Sequence, residues 1–88
     1  MNNEIKVLVH YMPASQPFKM EAVPATTVGQ IKTTALEAFG LKEDATKIYK
    51  LFHEKVELAN LNQPIGEIVK HEKAIDLKLE EVLVQGAI

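Results

Sequence analysis

The segment from Phe18 to Leu41 constrains the fold more than any other part of this 88-residue chain. Its first residues alternate: Phe18, Met20 and Ala22 would share one face of a strand, and the charged residues between them would share the other. Pro24 follows and ends the strand, because a proline has no N–H to donate to a neighbouring strand. The pattern predicts a half-buried strand that stops just before a new element begins.

A capped amphipathic helix is predicted after this proline. Thr27 and Gln30 have the spacing of a capping box, in which the hydroxyl accepts a hydrogen bond from a helix N–H and the glutamine side chain reaches back. We expect the helix to begin at about Val28 and to end at Gly40, which can adopt the left-handed conformation. Its apolar residues recur at helical spacing, so one face needs a sheet to cover it: Val28, Ile31, Ala35, Ala38 and Phe39.

The rest of the chain predicts further strands and one short helical turn. Residues 4–12 alternate and form a first strand, which a proline-containing turn joins to the second. Residues 47–58 indicate a second hairpin with its turn near His53, Glu54 and Lys55. Residues 60–69 indicate a short helical turn. Residues 75–80 alternate as the last strand. The predicted order is two strands, a helix, two strands, a turn and a last strand.

Length, composition and charge limit the function. The chain is long enough for one domain, residues 1–88, with residues 81–88 as a C-terminal tail. It has no cysteine, which excludes disulfides and thiolate sites and fits a reducing compartment. The net charge is -2 without a basic stripe, and no apolar run approaches the ~20 residues of a membrane span. We therefore expect a soluble cytoplasmic protein that binds neither nucleic acid nor membranes.

Catalytic patterns are missing from the sequence. The three histidines, His10, His53 and His71, are far apart and lack the spacing of a zinc site. The sequence contains no glycine-rich phosphate loop after a strand and no Gly-x-Ser-x-Gly motif. We predict that the chain is not an enzyme and that it has no catalytic residue, cofactor or metal site.

The element order, the threonine-capped helix after Pro24 and the ending at Gly40 resemble ubiquitin and its relatives over roughly residues 4–80. The resemblance implies an α+β, ubiquitin-like β-grasp fold: a mixed sheet of four to five strands with one helix packed across it. It also implies that the first and last strands lie parallel at the sheet centre. The implied core residues are Ile5, Val7, Val9, Phe18, Met20, Val28, Ile31, Ala35, Leu51, Leu58, Ile65, Ile68, Ile75, Leu77 and Leu79.

The C-terminus is the first site to which the resemblance points. Ubiquitin-like modifiers and sulfur carriers end in a flexible tail with Gly-Gly, whose carboxylate is activated. This chain has the single Gly86, followed by Ala87 and Ile88, so a peptidase would have to cut after Gly86 before activation. In the alternative interpretation, residues 82–84 lengthen the last strand and Gly86 is a loose end.

The outer face of the sheet is the second site to which the resemblance points, because partner domains bind this surface of ubiquitin. If Tyr49 and Leu51 point inward, a small docking patch would form on the other face, and the last strand would add Asp76, Lys78 and Glu80 beside it. The predicted partner-binding residues are Leu8, His10, Ile48, Lys50 and Phe52. A slip of one residue would instead bury Ile48 and Phe52, and ordinary partial burial or a homodimer contact is the simpler alternative.

Three functions remain open at this point. The first is a non-catalytic ubiquitin-like module that binds protein partners, as a monomer or weak homodimer. The second is a modifier or carrier that activating and processing enzymes would handle at its C-terminal glycine. The third is an accessory subunit of a larger enzyme.

Overall fold

A computed structural model of the chain describes residues 3–84. Five strands and two helices follow one another in the predicted order: β1 (Ile5–Tyr11), β2 (Phe18–Ala22), α1 (Val28–Phe39), β3 (Lys47–His53), β4 (Val56–Glu57), α2 (Ile65–Val69) and β5 (Ala74–Leu83). Within these residues, no helix is both long enough and apolar enough to cross a bilayer.

The five strands form one mixed sheet in the order β2-β1-β5-β3-β4. The first strand, β1, pairs antiparallel with β2 and parallel with β5, and β5 pairs antiparallel with β3. The first and last strands therefore lie side by side at the sheet centre, as the resemblance implied. The parallel pair needs a long crossover, which the chain between β2 and β5 provides.

Both ends of α1 have the predicted caps. The Thr27 hydroxyl accepts a hydrogen bond from the N–H of Gln30 at 3.1 Å, and the Thr27 N–H donates to the Gln30 side chain at 2.9 Å. At the other end Gly40 has a φ of 70°. The N–H of Leu41 then donates to the Leu36 carbonyl at 2.8 Å, which completes a Schellman ending.

The core lies between α1 and the inner face of the sheet, and it contains most of the predicted residues. Phe18, Met20 and Ile68 are corrections, because they are only partly buried and pack against the core from its edge. In the five-residue α2, Ile65 and Val69 are four positions apart and share the buried side, and Ile68 lies at the edge of that side. The buried residues are Ile5, Val7, Val9, Ala22, Val28, Ile31, Ala35, Tyr49, Leu51, Leu58, Ile65, Val69, Ile75, Leu77 and Leu79.

The second hairpin turns at Glu54 and Lys55, within the predicted turn. Both turn residues have positive φ angles, 51° and 73°, as a two-residue hairpin turn of type I′ requires. His53 and Val56 close the turn as a pair, and β4 ends one residue later. Because β3 runs antiparallel to β5 and β1 runs parallel to it, this turn points towards the end of the sheet where β1 begins.

The last strand is longer than the alternation of residues 75–80 predicted. It extends from Ala74 to Leu83, because its second half pairs with β3 through Tyr49, Ile48 and Lys47. Val84 adds a backbone hydrogen bond to the carbonyl of Thr46 at 2.8 Å. Val82 and Leu83 thus lengthen the strand, as in the alternative interpretation, whereas Gly86 lies outside the described residues.

Candidate functional site

The register of β3 decides which of its side chains reach the outer face of the sheet. Tyr49 and Leu51 are each 1% exposed and belong to the core. Ile48, Lys50 and Phe52 are partly buried and point to the other side. Of the two registers considered from the sequence, the structure has the one that places these three residues outside.

The predicted partner-binding residues do not form one continuous surface. Leu8 lies beside Asp76 of β5, whereas Ile48 lies beside Val82, six residues further along the same strand. Six residues of a strand span roughly 20 Å. Leu8 and Ile48 are therefore at opposite ends of the outer face, with charged residues of β5 between them.

His10 and Phe52 are the predicted partner-binding residues that the structure places on either side of one residue of β5. Each is paired with Lys78, His10 from β1 and Phe52 from β3. Strands lie about 4.8 Å apart, so the two side chains flank Lys78 at roughly 10 Å from each other. Lys50 lies beside Glu80, two residues further along β5, and its Nζ is 3.5 Å from Glu57 Oε1.

These two residues border an open cleft of about 690 Å³ on the outer face, which we call the outer cleft. The β1–β2 turn forms one wall, the β3–β4 turn forms the opposite wall, and β5 forms the floor. Its apolar lining includes Met12, Pro17 and Phe52, and its polar lining includes His10, Asp76 and Lys78. An apolar surface with a few placed polar groups is the usual make-up of a binding site.

Two close polar pairs lie around the outer cleft. His10 Nε2 lies 3.0 Å from Asp76 Oδ1, and Lys78 Nζ lies 3.1 Å from Glu80 Oε2. The side chains of His10 and Asp76 are 50% and 72% exposed, so this pair adds little to stability. A partner that docks here would find these polar pairs beside the apolar lining of the cleft.

Met12 is the cleft residue that sequence reasoning missed. It is 82% exposed at the start of the β1–β2 turn, although it is a large apolar residue. Its position just before Pro13, in a turn whose other residues are small or polar, is the signal that could have identified it. Asp76 and Lys78 were predicted to face outward, but their place in the cleft follows only from the pairing of β5 with β1 and β3.

A second group of polar side chains lies on the inner face of the sheet, where β3 pairs with the second half of β5. The Tyr49 hydroxyl donates to Glu81 Oε1 at 3.4 Å, and the rings of Tyr49 and Tyr11 pack edge to face with centroids 6.1 Å apart. Burial, the neighbouring Tyr11 hydroxyl and the Glu81 carboxylate together raise the pKa of Tyr49 to about 12. Tyr49 is therefore a neutral hydrogen-bond donor over the whole physiological pH range.

The outer cleft contains a serine, a histidine and an aspartate, which are the residue types of a serine-nucleophile site. Ser15 lines the same cleft as His10 and Asp76, but the one hydrogen bond that the described residues give the His10 side chain is the bond to Asp76. A serine nucleophile needs a base within hydrogen-bond reach. Among residues 3–84, no three His, Cys, Asp or Glu side chains are grouped so that they could hold a metal ion.

Comparison with solved structures identifies the fold. The chain is similar to ubiquitin of Caldiarchaeum subterraneum, with a TM-score of 0.73 and 19% identity over 94% of this chain and 99% of that one. It is also similar to the ubiquitin-like domain of an Arabidopsis thaliana protein, with a TM-score of 0.64 and 18% identity over 90% and 78% of the two chains. A structure described as molecular mimicry of SUMO that promotes DNA repair matches with a TM-score of 0.69 and 12% identity over 91% and 94%.

These likenesses show that the chain has the ubiquitin-like β-grasp fold, a mixed five-stranded sheet with a helix packed across it. No family model matches the sequence, and no curated protein matches it either. Because one fold can support many functions, the function has to be argued from the site.

Proposed function

We propose that this chain is a non-catalytic protein-interaction module that binds a protein partner through the outer cleft. The observation that carries the proposal is the exposure of Met12, 82%, at the rim of a cleft whose wall also contains Phe52. Large apolar side chains that remain accessible beside polar groups are typical of docking surfaces.

The geometry of the outer cleft supports this role in two further ways. The cleft lies between two turns that follow β1 and β3, the strands on either side of β5, so its walls are held by the sheet rather than by one long loop. The His10–Asp76 pair presents a hydrogen-bonding group at the cleft floor, which can orient a partner. Apolar contact would then supply affinity, and the polar pair would supply specificity.

A non-catalytic role in the cytoplasm agrees with the sequence. The chain contains no cysteine nucleophile and none of the phosphate-binding or serine-nucleophile motifs considered above. Its only histidine in the cleft is bonded to an aspartate and is half exposed. These features support binding as the function of the cleft.

The test compares partner capture by the wild-type chain and by two cleft variants. Proteins from the native cells are bound to the immobilised chain, and the captured set is identified by mass spectrometry. We expect a specific partner to be lost with Met12→Ser and with Phe52→Ala, because each substitution removes apolar contact area from the cleft. A stoichiometric complex with a catalytic subunit would identify the chain as an accessory subunit.

Val23→Ser is the matched control for this experiment. Val23 is also an exposed aliphatic residue, 49% accessible, but it lies beyond the end of β2 and outside the cleft. Capture should be unchanged in this variant, and circular dichroism should show that all three variants are folded. Equal capture by the wild type and both cleft variants would contradict the proposal.

The alternative function, a modifier or carrier, draws its support from the position of Gly86. The described strand β5 ends at Leu83, so Gly86 follows it by three residues in a chain with the fold of an archaeal ubiquitin. Intact-mass analysis of the protein from its native cells tests this alternative. Loss of Ala87 and Ile88, or a link from Gly86 to a lysine, would favour a modifier over a binding module.

A further inference from the structure

Met12 carries a thioether sulfur at an exposed position of the outer cleft. The residue is 82% exposed, the largest fraction among the large apolar residues that the structure describes. The chain has three methionines and no cysteine, so its sulfur atoms are all thioethers. An oxidant that reacts with sulfur can therefore attack this chain only at methionine.

Met20 provides a comparison within the same hairpin. It pairs with the buried Val7 on the inner face of the sheet and packs against the hydrophobic core. Oxidation of methionine to the sulfoxide needs access of the oxidant to sulfur, so exposure decides which methionine reacts first. Of these two residues, Met12 is the accessible one.

The turn that holds Met12 is fixed by the backbone and not by the Met12 side chain. The N–H of Ala14 donates to the carbonyl of Tyr11 at 2.9 Å and closes the turn around Met12 and Pro13. Pro13 also restricts the backbone of the residue before it. Because the Met12 side chain lies outside the core, water can hydrate an oxygen added to it, and the fold should be unchanged.

We propose that Met12 is a site of reversible oxidation by peroxides, and that its sulfoxide form switches off partner binding at the outer cleft. This inference rests on the proposed function of the cleft. Hydrogen peroxide gives one oxygen to the thioether: the S–O bond forms as the O–O bond breaks, sulfur loses two electrons, and the other oxygen leaves as water. A thiol-dependent sulfoxide reductase reverses the change, with the added oxygen leaving as water and two thiols joining as a disulfide.

The sulfoxide would act at the point on which the proposed binding depends. Met12, Pro17 and Phe52 belong to the apolar lining of the outer cleft. Oxidation converts the flexible apolar side chain of Met12 into a polar one and disrupts interfaces that contain methionine. When a partner covers the cleft, the sulfoxide oxygen loses its water, and a polar group buried without a new hydrogen bond costs free energy.

Peptide mapping tests the site itself, without a partner. The full chain is treated with dilute hydrogen peroxide, and mass spectrometry follows the addition of oxygen at each methionine. We expect Met12 to be oxidised at least about five times faster than Met20, because of the difference in exposure. Circular dichroism and urea unfolding of the chain oxidised at Met12 should match those of the untreated chain.

Partner capture tests the switch. The immobilised chain is oxidised, freed of peroxide and exposed to an extract of the native cells prepared without thiols. We expect capture of the partner bound by the untreated chain to fall about tenfold or more. Treatment of the oxidised chain with the reductase should restore it.

Two leucine variants assign the effect to one sulfur. Met20→Leu should lose capture on oxidation as the wild type does. Met12→Leu keeps an apolar side chain without sulfur, so its capture should be the same before and after peroxide. Met1 is present in both variants, and its oxidation therefore cannot account for a difference between them.

Several outcomes would overturn the inference: equal oxidation rates of Met12 and Met20, unfolding on oxidation, undiminished capture by the oxidised wild type, or the same loss of capture in oxidised Met12→Leu. Failure of the proposed function is visible earlier, before any peroxide is added, as equal capture by the untreated wild type and Met12→Ser. It would remove the binding to be switched, and the inference with it. Loss of capture in Met12→Ser together with undiminished capture after oxidation would overturn the inference and leave the proposed function in place.

Discussion

Tyr49 shows how one residue links the core of this protein to its polar surroundings. Its ring is 1% exposed, and its hydroxyl reaches Glu81 at the end of β5. A buried tyrosine needs a partner for its hydroxyl, and a carboxylate accepts that hydrogen bond well. The same burial makes the phenolate form unfavourable, so Tyr49 ties β3 to β5 only while it is neutral.

We predict that alkaline pH destabilises the fold through Tyr49. Its folded pKa of about 12 lies above the ordinary value of 10.0, so the folded state holds the proton more tightly than the unfolded state. This contribution to stability is complete below pH 10 and is lost as the pH rises from 10 towards 12. Urea unfolding at several pH values should show the decline, and it should be smaller in Tyr49→Phe.

Phenolate absorbance provides the direct check, because the chain contains two tyrosines. In the wild type one phenol should ionise only with unfolding or near pH 12, and Tyr49→Phe should remove that phase. Ionisation of both tyrosines at the ordinary value in a folded chain would contradict the structure.

At the scale of the elements, the outer edge of β3 shows how a strand edge is covered by a side chain. The N–H of Tyr49 donates to Glu43 Oε2 at 2.7 Å, and the same carboxylate oxygen lies 2.9 Å from Lys32 Nζ on α1. Partial burial alone would raise the pKa of Glu43, but the Tyr49 N–H and Lys32 outweigh it and hold the pKa below its usual range. Glu43 thus occupies a backbone donor that another chain could otherwise use.

We predict that Glu43 contributes stability at neutral pH that is lost in acid. Because its folded pKa is below the ordinary value of 4.5, the contribution is complete above about pH 4.5 and declines as the pH falls through the folded pKa. Glu43→Gln keeps an acceptor for the Tyr49 N–H but removes the charge and the titration. It should cost about 0.2–1 kcal/mol at pH 7 and less in acid.

The measurement for Glu43 is the free energy of unfolding of wild type and Glu43→Gln over a range from neutral to acid pH. Glu37→Gln, an exposed glutamate on α1 without a described ion pair, is the control for general charge effects. A constant difference between wild type and Glu43→Gln at all pH values would show that the pKa of Glu43 is not lowered.

At the scale of the whole molecule, stability depends on one core shared by the sheet, α1 and α2. Ile31 is 0% exposed in the middle of α1 and belongs to the cluster that also contains residues of β1, β3 and β5. A domain this small has few other buried contacts to compensate for a loss. The helix and the sheet should therefore unfold together in one transition.

We predict that Ile31→Ala lowers the free energy of unfolding by about 2–5 kcal/mol, because it removes buried methyl groups and leaves a cavity. Thr33→Ala, on the exposed face of the same helix, should change it by less than about 0.5 kcal/mol. Chemical denaturation monitored by circular dichroism measures both. A nearly neutral Ile31→Ala would mean that another face of α1 covers the sheet.

The sequence by itself determined the order of the elements and the ends of β2 and α1. The alternation of apolar residues predicted β2. Thr27 and Gln30 predicted the start of α1, and Gly40 predicted its end. These signals act within a few residues along the chain. The inward residues of β1 and β5 followed from the same alternation. The resemblance to ubiquitin then supplied the parallel pairing of the first and last strands at the sheet centre, which local patterns do not contain.

Only the tertiary structure decided the outer cleft and the extent of β5. A shift of two residues between strands keeps every side chain on its face, so alternation cannot fix which residues become neighbours. The pairings of Lys78 with His10 and with Phe52 bring together residues from three distant segments, and they separate Leu8 from Ile48. The same pairings extend β5 to Leu83 beyond the end of β1. Local residue patterns therefore set the elements, whereas long-range register set the surfaces that can bind.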